Sequence, residues 1–255
     1  MFALSLPLGW RLLVFFIAGV AAGIANGIAG GGTFITFPTM LALGIPALTA
    51  NVSSSVGVLP SYLGGLRGFR RELSRRHHLL SRLAPACLFG TLAGTTLLLT
   101  GSSSTFRSVV PWLIAGATVL FALSPLVTKR LAHLDHEHPT RRWALQIGVF
   151  LVAMYGGYFG AGLGIMLLAV MAVTLPDDLD TLHGLRNALS LVINIVAALV
   201  FIIRGHLAMP AVSMLLLGTL LGGWLGTLLI RRLEPSTVRL MIVLIGTATA
   251  IRLWL

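Results

Sequence analysis

The sequence predicts an all-α integral membrane protein of about ten segments, built as two inverted five-segment repeats with short re-entrant half-helices after glycine motifs. Three observations carry this. The chain is 56% hydrophobic and only 10% charged, with mean hydropathy +0.95, whereas soluble domains carry about 25% charged residues. Apolar stretches of membrane-spanning length recur from end to end. A glycine cluster followed by a short apolar segment occurs twice, at constant spacing.

The segments cover approximately 10–30, 33–45, 49–69, 80–100, 107–128, 143–161, 163–175, 182–203, 208–230 and 237–255. The first, from about Trp10 to Ala29, has neither a basic n-region nor an A-x-A-like site, so it reads as a retained helix. The formal charge of +11 sits in loops: Arg67, Arg70, Arg71, Arg75, Arg76 and Arg82 crowd one, and Lys129, Arg130, Arg141 and Arg142 flank another. Arginine-rich loops between apolar spans are the positive-inside signal, which argues against a nucleic-acid partner and for the lipid bilayer of the cytoplasmic (inner) membrane. Cys87 stands alone, which excludes an intramolecular disulfide and a cysteine-only metal site; it is expected inside a helix.

The stretch 129–142 reads as a basic, histidine-containing cytoplasmic linker between a first repeat, 1–128, and a second, 143–255. Gly27, Gly30, Gly32, Ile35 and Pro46 recur as Gly157, Gly160, Gly162, Ile165 and Pro176. Gly90, Thr91 and Gly94 match Gly218, Thr219 and Gly222, and Thr105 with Arg107 matches Thr237 with Arg239. Basic charge changes loop between the halves. The arginine-rich 67–82 corresponds to 204–210, with one arginine, and the uncharged 101–105 to 231–239, with three. An odd number of segments per half, and hence inversion, follows, with both termini facing outward.

Segments 33–45 and 163–175 are too short to cross alone, because thirteen helical residues rise about 20 Å against a hydrocarbon core of about 30 Å. Each follows glycines and precedes a proline. Paired Gly/Pro-interrupted segments point to a transporter site made of broken helices. Positive-φ glycines let the chain turn, and the half-helix N-termini then offer N–H groups to an anion. Close helix packing by the same glycines is the competing reading.

The stretches "GIAGGGTFITFP" and "GIPALTANVSSS", with the echo "GGYFGAGLG", resemble the sulfite exporter TauE/SafE family of bacterial membrane transporters over nearly the whole chain. The resemblance implies export or uptake of small anions, typically sulfite, sulfonates or related organic acids, across the cytoplasmic membrane. The second half departs from the first: Ala161 and Leu163 interrupt its glycine run, and Leu168 replaces Pro38.

Polar residues at membrane depth tend to mark pathways. Asn51, Ser54 and Ser61 share one helical face, with Ser53 and Ser55 alongside and a kink expected at Pro60; His183, Asn187, Ser190 and Asn194 share another. Serine and asparagine can donate to an oxyanion or bond between helices. Arg186 lies about one turn inside its segment, where anion ligation and snorkelling both remain open; Arg204 reads as an interfacial anchor. The seven acidic residues, Glu72, Asp135, Glu137, Asp177, Asp178, Asp180 and Glu234, all fall in loops or at segment ends, which weakens cation transport and carboxylate proton relays. His133, His136 and His138 fit a solvated linker better than a zinc site. No hydrolase, metalloprotease or P-loop motif is present, so neither an enzyme nor a cofactor is expected.

The sequence thus predicts a secondary transporter of a small anion working by alternating access. The expected substrate-binding residues are Gly30, Gly31, Gly32, Thr33, Asn51, Ser54, Gly160, Gly162, Gly164, Arg186, Asn187 and Asn194. The alternatives are a non-transporting assembly or sensor subunit and a cation transporter. A homo-oligomer is compatible with the sequence, which does not fix the oligomeric state.

Overall fold

The computed structural model describes residues 7–28, 30–63, 76–131, 140–229 and 235–254. Helix is the only regular structure among them. In chain order the helices are α1 (Leu8–Ile28), α2 (Thr33–Ala42), α3 (Ala47–Gly57), α4 (His77–Thr100), α5 (Ser103–Leu131), α6 (Thr140–Tyr158), α7 (Leu163–Thr174), α8 (Leu179–Arg204), α9 (Met209–Leu229) and α10 (Pro235–Trp254). Among the described residues, α1, α4, α5, α8, α9 and α10 contain stretches long and apolar enough to cross a membrane. The half-helices α2 and α7 rise only about 15–18 Å.

The third predicted segment is the one that differs most. The interruption expected at Pro60 is a break: α3 stops at Gly57, the chain turns through Val58–Pro60, and helical residues resume at Ser61. Pro60 lacks an N–H for a helix to use, and Thr219 Oγ1 donates to the Gly57 carbonyl at 2.7 Å, capping the end. The loop arginines 67–75, the histidines of the linker, and Glu72, Asp135, Glu137 and Glu234 lie outside the described residues.

The helices pack in matched pairs: α1 along α9, α4 along α6, and α5 against α10. Residues along α1 and α9 advance together, as do those along α4 and α6, so both pairs are parallel; α5 and α10 run antiparallel. The first two crossings are close enough to exclude side chains at key points. A β-carbon at Gly94 of α4 would collide with the Met154 carbonyl of α6, and one at Gly222 of α9 with the Val20 carbonyl of α1. Small residues at such crossings let backbones approach without a water-driven hydrophobic force.

The helix directions define two ends. Helices α4 and α8 both run from an end marked by Arg76 and Asp177 to one marked by Gly101 and Gly205. At the second end also lie the start of α1, whose Arg11 Nη2 donates to the Leu43 carbonyl at 3.0 Å, and the end of α10, where Trp254 meets Trp112. Large apolar side chains such as Phe89, Trp112, Ile147, Leu199 and Leu244 point outward. A soluble monomer rarely carries so broad an apolar surface; lipid accommodates it.

The half-helices sit inside this shell. Phe34, Phe37 and Met40 of α2 belong to one buried cluster, and Leu163, Leu167 and Met171 of α7 to another, which also holds Cys87.

Candidate functional site

Two breaks in the helical backbone build the centre. After α1, Gly30 and Gly31 adopt φ of +73° and +114°; after α6, Gly160 and Gly162 adopt +77° and +75°. A β-carbon opposes this left-handed region. Each preceding helix closes in the same way. Gly30 N–H donates to the Ala25 carbonyl at 3.0 Å, and Gly160 N–H to that of Tyr155 at 3.2 Å. From the breaks, α2 and α7 diverge to opposite ends. Helix α2 finishes in a Schellman motif, with Gly44 N–H on Leu41 and Ile45 N–H on Met40, each at 3.0 Å, before Pro46. Helix α7 finishes before Pro176, and Asp178 then caps α8 by accepting from Thr181 N–H at 3.3 Å.

The starts of the half-helices adjoin. A β-carbon built on Gly30 would stand 3.8 Å from both Gly164 Cα and Arg186 Nη1. The breaks differ in what satisfies their backbone. At the first, Asn26 Oδ1 accepts from Gly31 N–H at 2.9 Å and from Gly32 N–H at 2.6 Å; Asn26 Nδ2 donates to Ser61 Oγ at 2.8 Å. Those two amides are therefore engaged. At the second, Tyr155 donates its hydroxyl to the Ala161 carbonyl at 2.7 Å. Leu163 N–H donates to Gly160 and Ile165 N–H to Gly162. Gly164 N–H donates to no backbone carbonyl of the described residues.

Arg186 lies across Gly164, within van der Waals reach of where its β-carbon would stand, and is 3% exposed. At that burial the guanidinium is packed inside the protein and does not reach its surface. Its hydrogen-bond partner among the described residues is Asn187 Oδ1, 3.1 Å from Nη2, with Tyr62 and His183 nearby. The one ion pair among the described residues, Arg76 with Asp177, does not involve it.

Four of the twelve expected residues thus come together: Gly30, Gly164, Arg186 and Asn187. Gly31, Gly32, Gly160 and Gly162 shape the breaks, and Thr33 is buried at the start of α2. Of the remaining three, Asn51 and Ser54 bond elsewhere, while Asn194 also reaches Tyr62, beside Arg186. Asn51 Nδ2 donates to the Tyr158 carbonyl at 2.9 Å, closing the end of α6, while its buried Oδ1 has no partner. Ser54 donates to Met40 Sδ at 3.6 Å, and Asn194 to the Ser190 carbonyl at 2.8 Å. Asn26, Tyr155 and Tyr62 were not anticipated. Asn26 was legible as a lone amide in an apolar span; the two tyrosines left no signal. Among the described residues, no three His, Cys, Asp or Glu side chains cluster to hold a metal.

A cavity of about 1370 Å³ opens at the Gly101–Gly205 end, lined by Pro38, Leu41, Val52, Arg107 and Arg204 among others. Arg204, expected as an interfacial anchor, faces this space.

The family model of the sulfite exporter TauE/SafE matches residues 15–253. This chain belongs to the sulfite exporter TauE/SafE family. Relatives of this TauE/SafE chain span nearly its full length. A probable membrane transporter protein of Haemophilus influenzae is 23% identical, covering 92% of this chain and 91% of its own. One from a Sinorhizobium species is 26% identical, covering 96% and 94%. The probable membrane transporter protein YfcA of Escherichia coli is 24% identical, covering 94% and 88%. The TauE/SafE chain is accordingly a multi-pass membrane protein of a transporter family, and the glycine breaks lie inside the matched region.

Proposed function

We propose that this protein is a secondary transporter that moves a small anion, such as sulfite, an organosulfonate or a related small organic acid, across the cytoplasmic membrane. The observation that carries the reading is Arg186, buried between the two breaks with no acidic partner among the described residues. A central arginine costs about 2.5–3.5 kcal/mol on insertion scales. A bound oxyanion offsets that cost by supplying the missing charge. Arg186 holds it through the guanidinium fork, Gly164 donates its free N–H at the start of α7, and Asn187 completes the polar wall. Gly30 leaves the room in which the anion sits.

Alternating access then follows from two inverted repeats, 1–128 and 143–255, rocking about this centre. The pairing of helices supports this reading: exchanging each helix with its counterpart in the other half turns α1 with α9 into α6 with α4, and returns α5 with α10 to itself. Counterparts α1 and α6 start from opposite ends, as inversion requires. With both termini outward, the Arg76–Asp177 end is cytoplasmic.

The test is an anion panel on the purified protein. Sulfite, small sulfonates and small carboxylates should raise the melting temperature, by an amount equivalent to about 2.7 kcal/mol at a hundredfold excess over Kd. R186Q should abolish the response and the flux in proteoliposomes. No anion response and no flux overturns the reading; stabilisation by sodium or metal ions alone would make the protein a cation carrier.

A further inference from the structure

We propose that the cavity at the Gly101–Gly205 end is a second anion site, a vestibule for an organic anion with an apolar body larger than sulfite. Its role as an entrance rests on the transport reading above, while its occupancy is tested separately.

Position makes it a distinct site. Arg204 is eighteen residues beyond Arg186 on α8, about 27 Å along the axis. The cavity is bounded by the end of α2, the start of α3, the α4–α5 turn and the last turns of α8 and α10.

Charge selects the sign of the ligand. Arg107, Arg204 and Arg252 line the cavity, and among the described residues no Asp or Glu does. Cationic groups on low-dielectric walls focus the field and concentrate anions. Volume and wall chemistry select its body. The cavity holds about 1370 Å³, above the roughly 300–1,000 Å³ of most small-molecule sites. A bare oxyanion would fill little of it and gain nothing from Leu41, Val52 or Ile245. An apolar body gains about 25 cal/mol for each Å² withdrawn from water. The ligand class is therefore a sulfonate or carboxylate attached to a ring or chain.

Calorimetry on the full chain in phosphatidylcholine nanodiscs tests this with three probes: 2-naphthalenesulfonate, its neutral sulfonamide and inorganic sulfite. The naphthalenesulfonate should bind, and the sulfonamide about tenfold more weakly or worse. The double variant R107Q/R204Q should weaken the sulfonate about tenfold, as should L48W, which fills the cavity without removing charge. R186Q should remove the sulfite response. Equal binding of the sulfonamide, or unchanged affinity in both cavity variants, overturns the vestibule. So does loss of binding when phosphatidylglycerol is added to the discs, since a lipid headgroup would then be the occupant. A failed sulfite response with intact naphthalenesulfonate binding sinks the central site and leaves the vestibule standing.

Discussion

Arg76 and Asp177 join the start of α4 to the stretch preceding α8, at the end of the molecule away from the cavity. Asp177 is 7% exposed at its side chain and its Oδ2 has no partner, while Arg76 is 44% exposed. The pair closes the end nearer to Arg186. On the alternating-access reading proposed above, the pair is expected to act as a latch that opens when the cavity end shuts. Because Arg76 is in water, the pair contributes no more than about 1 kcal/mol. R76Q or D177N should therefore speed maleimide labelling of L182C, placed in a C87A background, by at most about fivefold. The swap R76D/D177R should restore the slower rate. Unchanged labelling in all three would mean that the pair gates nothing.

Gly94 and Gly222 each lie against a carbonyl of the parallel partner helix, Met154 and Val20 respectively. Neither backbone can yield without moving a whole helix. G94A and G222A should each destabilise by about 1–3 kcal/mol or more. Gly116, with nothing within 4 Å of its would-be β-carbon, is the control: G116A should be neutral or stabilising by up to about 1 kcal/mol. Thermal melts in detergent separate the two classes, and equal effects at all three positions would rule out tight packing as the reason for the glycines.

The breaks were legible because their signals are local: positive-φ glycines, a short apolar segment, then proline. Packing register was not. The sequence aligns Gly27 with Gly157, and the break glycines keep that spacing. In the packing, however, Gly23 meets the Thr219 carbonyl and Gly157 that of Thr91, so α1 is displaced by one turn. A helix offers nearly the same face every four residues, so residue spacing cannot fix which turn makes contact. The cavity arginines were illegible for a different reason: Arg107, Arg204 and Arg252 are far apart in sequence, and only the return of α5, α8 and α10 to one end gathers them.

Asn26 accepts from two buried backbone amides at the first break. N26A would leave both donors without a partner, at about 1–3 kcal/mol each. The expected outcome is a marked loss of thermal stability, with faster hydrogen exchange at Gly31 and Gly32 than at Gly160 and Gly162. Uniform exchange changes at both breaks would show that Asn26 acts on the whole fold and not on the break it caps.

Asp178 gives a pH dependence. Its carboxylate accepts from Thr181 Oγ1 at 2.6 Å and from Thr181 N–H, and these bonds hold its pKa below the ordinary 3.8. A lowered folded-state pKa means a contribution fully present above 3.8 and lost as pH falls through the folded value. Asparagine caps a helix equally well but does not titrate. Melting temperatures of the native protein and D178N should run together from pH 7 to about 5, the native protein falling faster below about pH 4. Parallel curves throughout would exclude Asp178 as the source.

Arg186 makes the most discriminating prediction, because a ligand site and a structural anchor respond in opposite directions. Replacing a whole buried ion pair with apolar groups of similar volume is often neutral or stabilising, by about 1–4 kcal/mol, whereas a lone uncompensated buried charge is costly. If the guanidinium waits for an anion, R186Q in anion-free buffer should melt at or above the native temperature, because an uncompensated charge has been removed. Adding sulfite should then raise the native melting point but not that of R186Q. If Arg186 instead holds Asn187 and α7 together, R186Q should melt lower in both buffers and the anion increment should survive. R186K sharpens the reading: it keeps the charge but loses the planar fork, so a smaller anion increment, with little change in the anion-free melt, is expected.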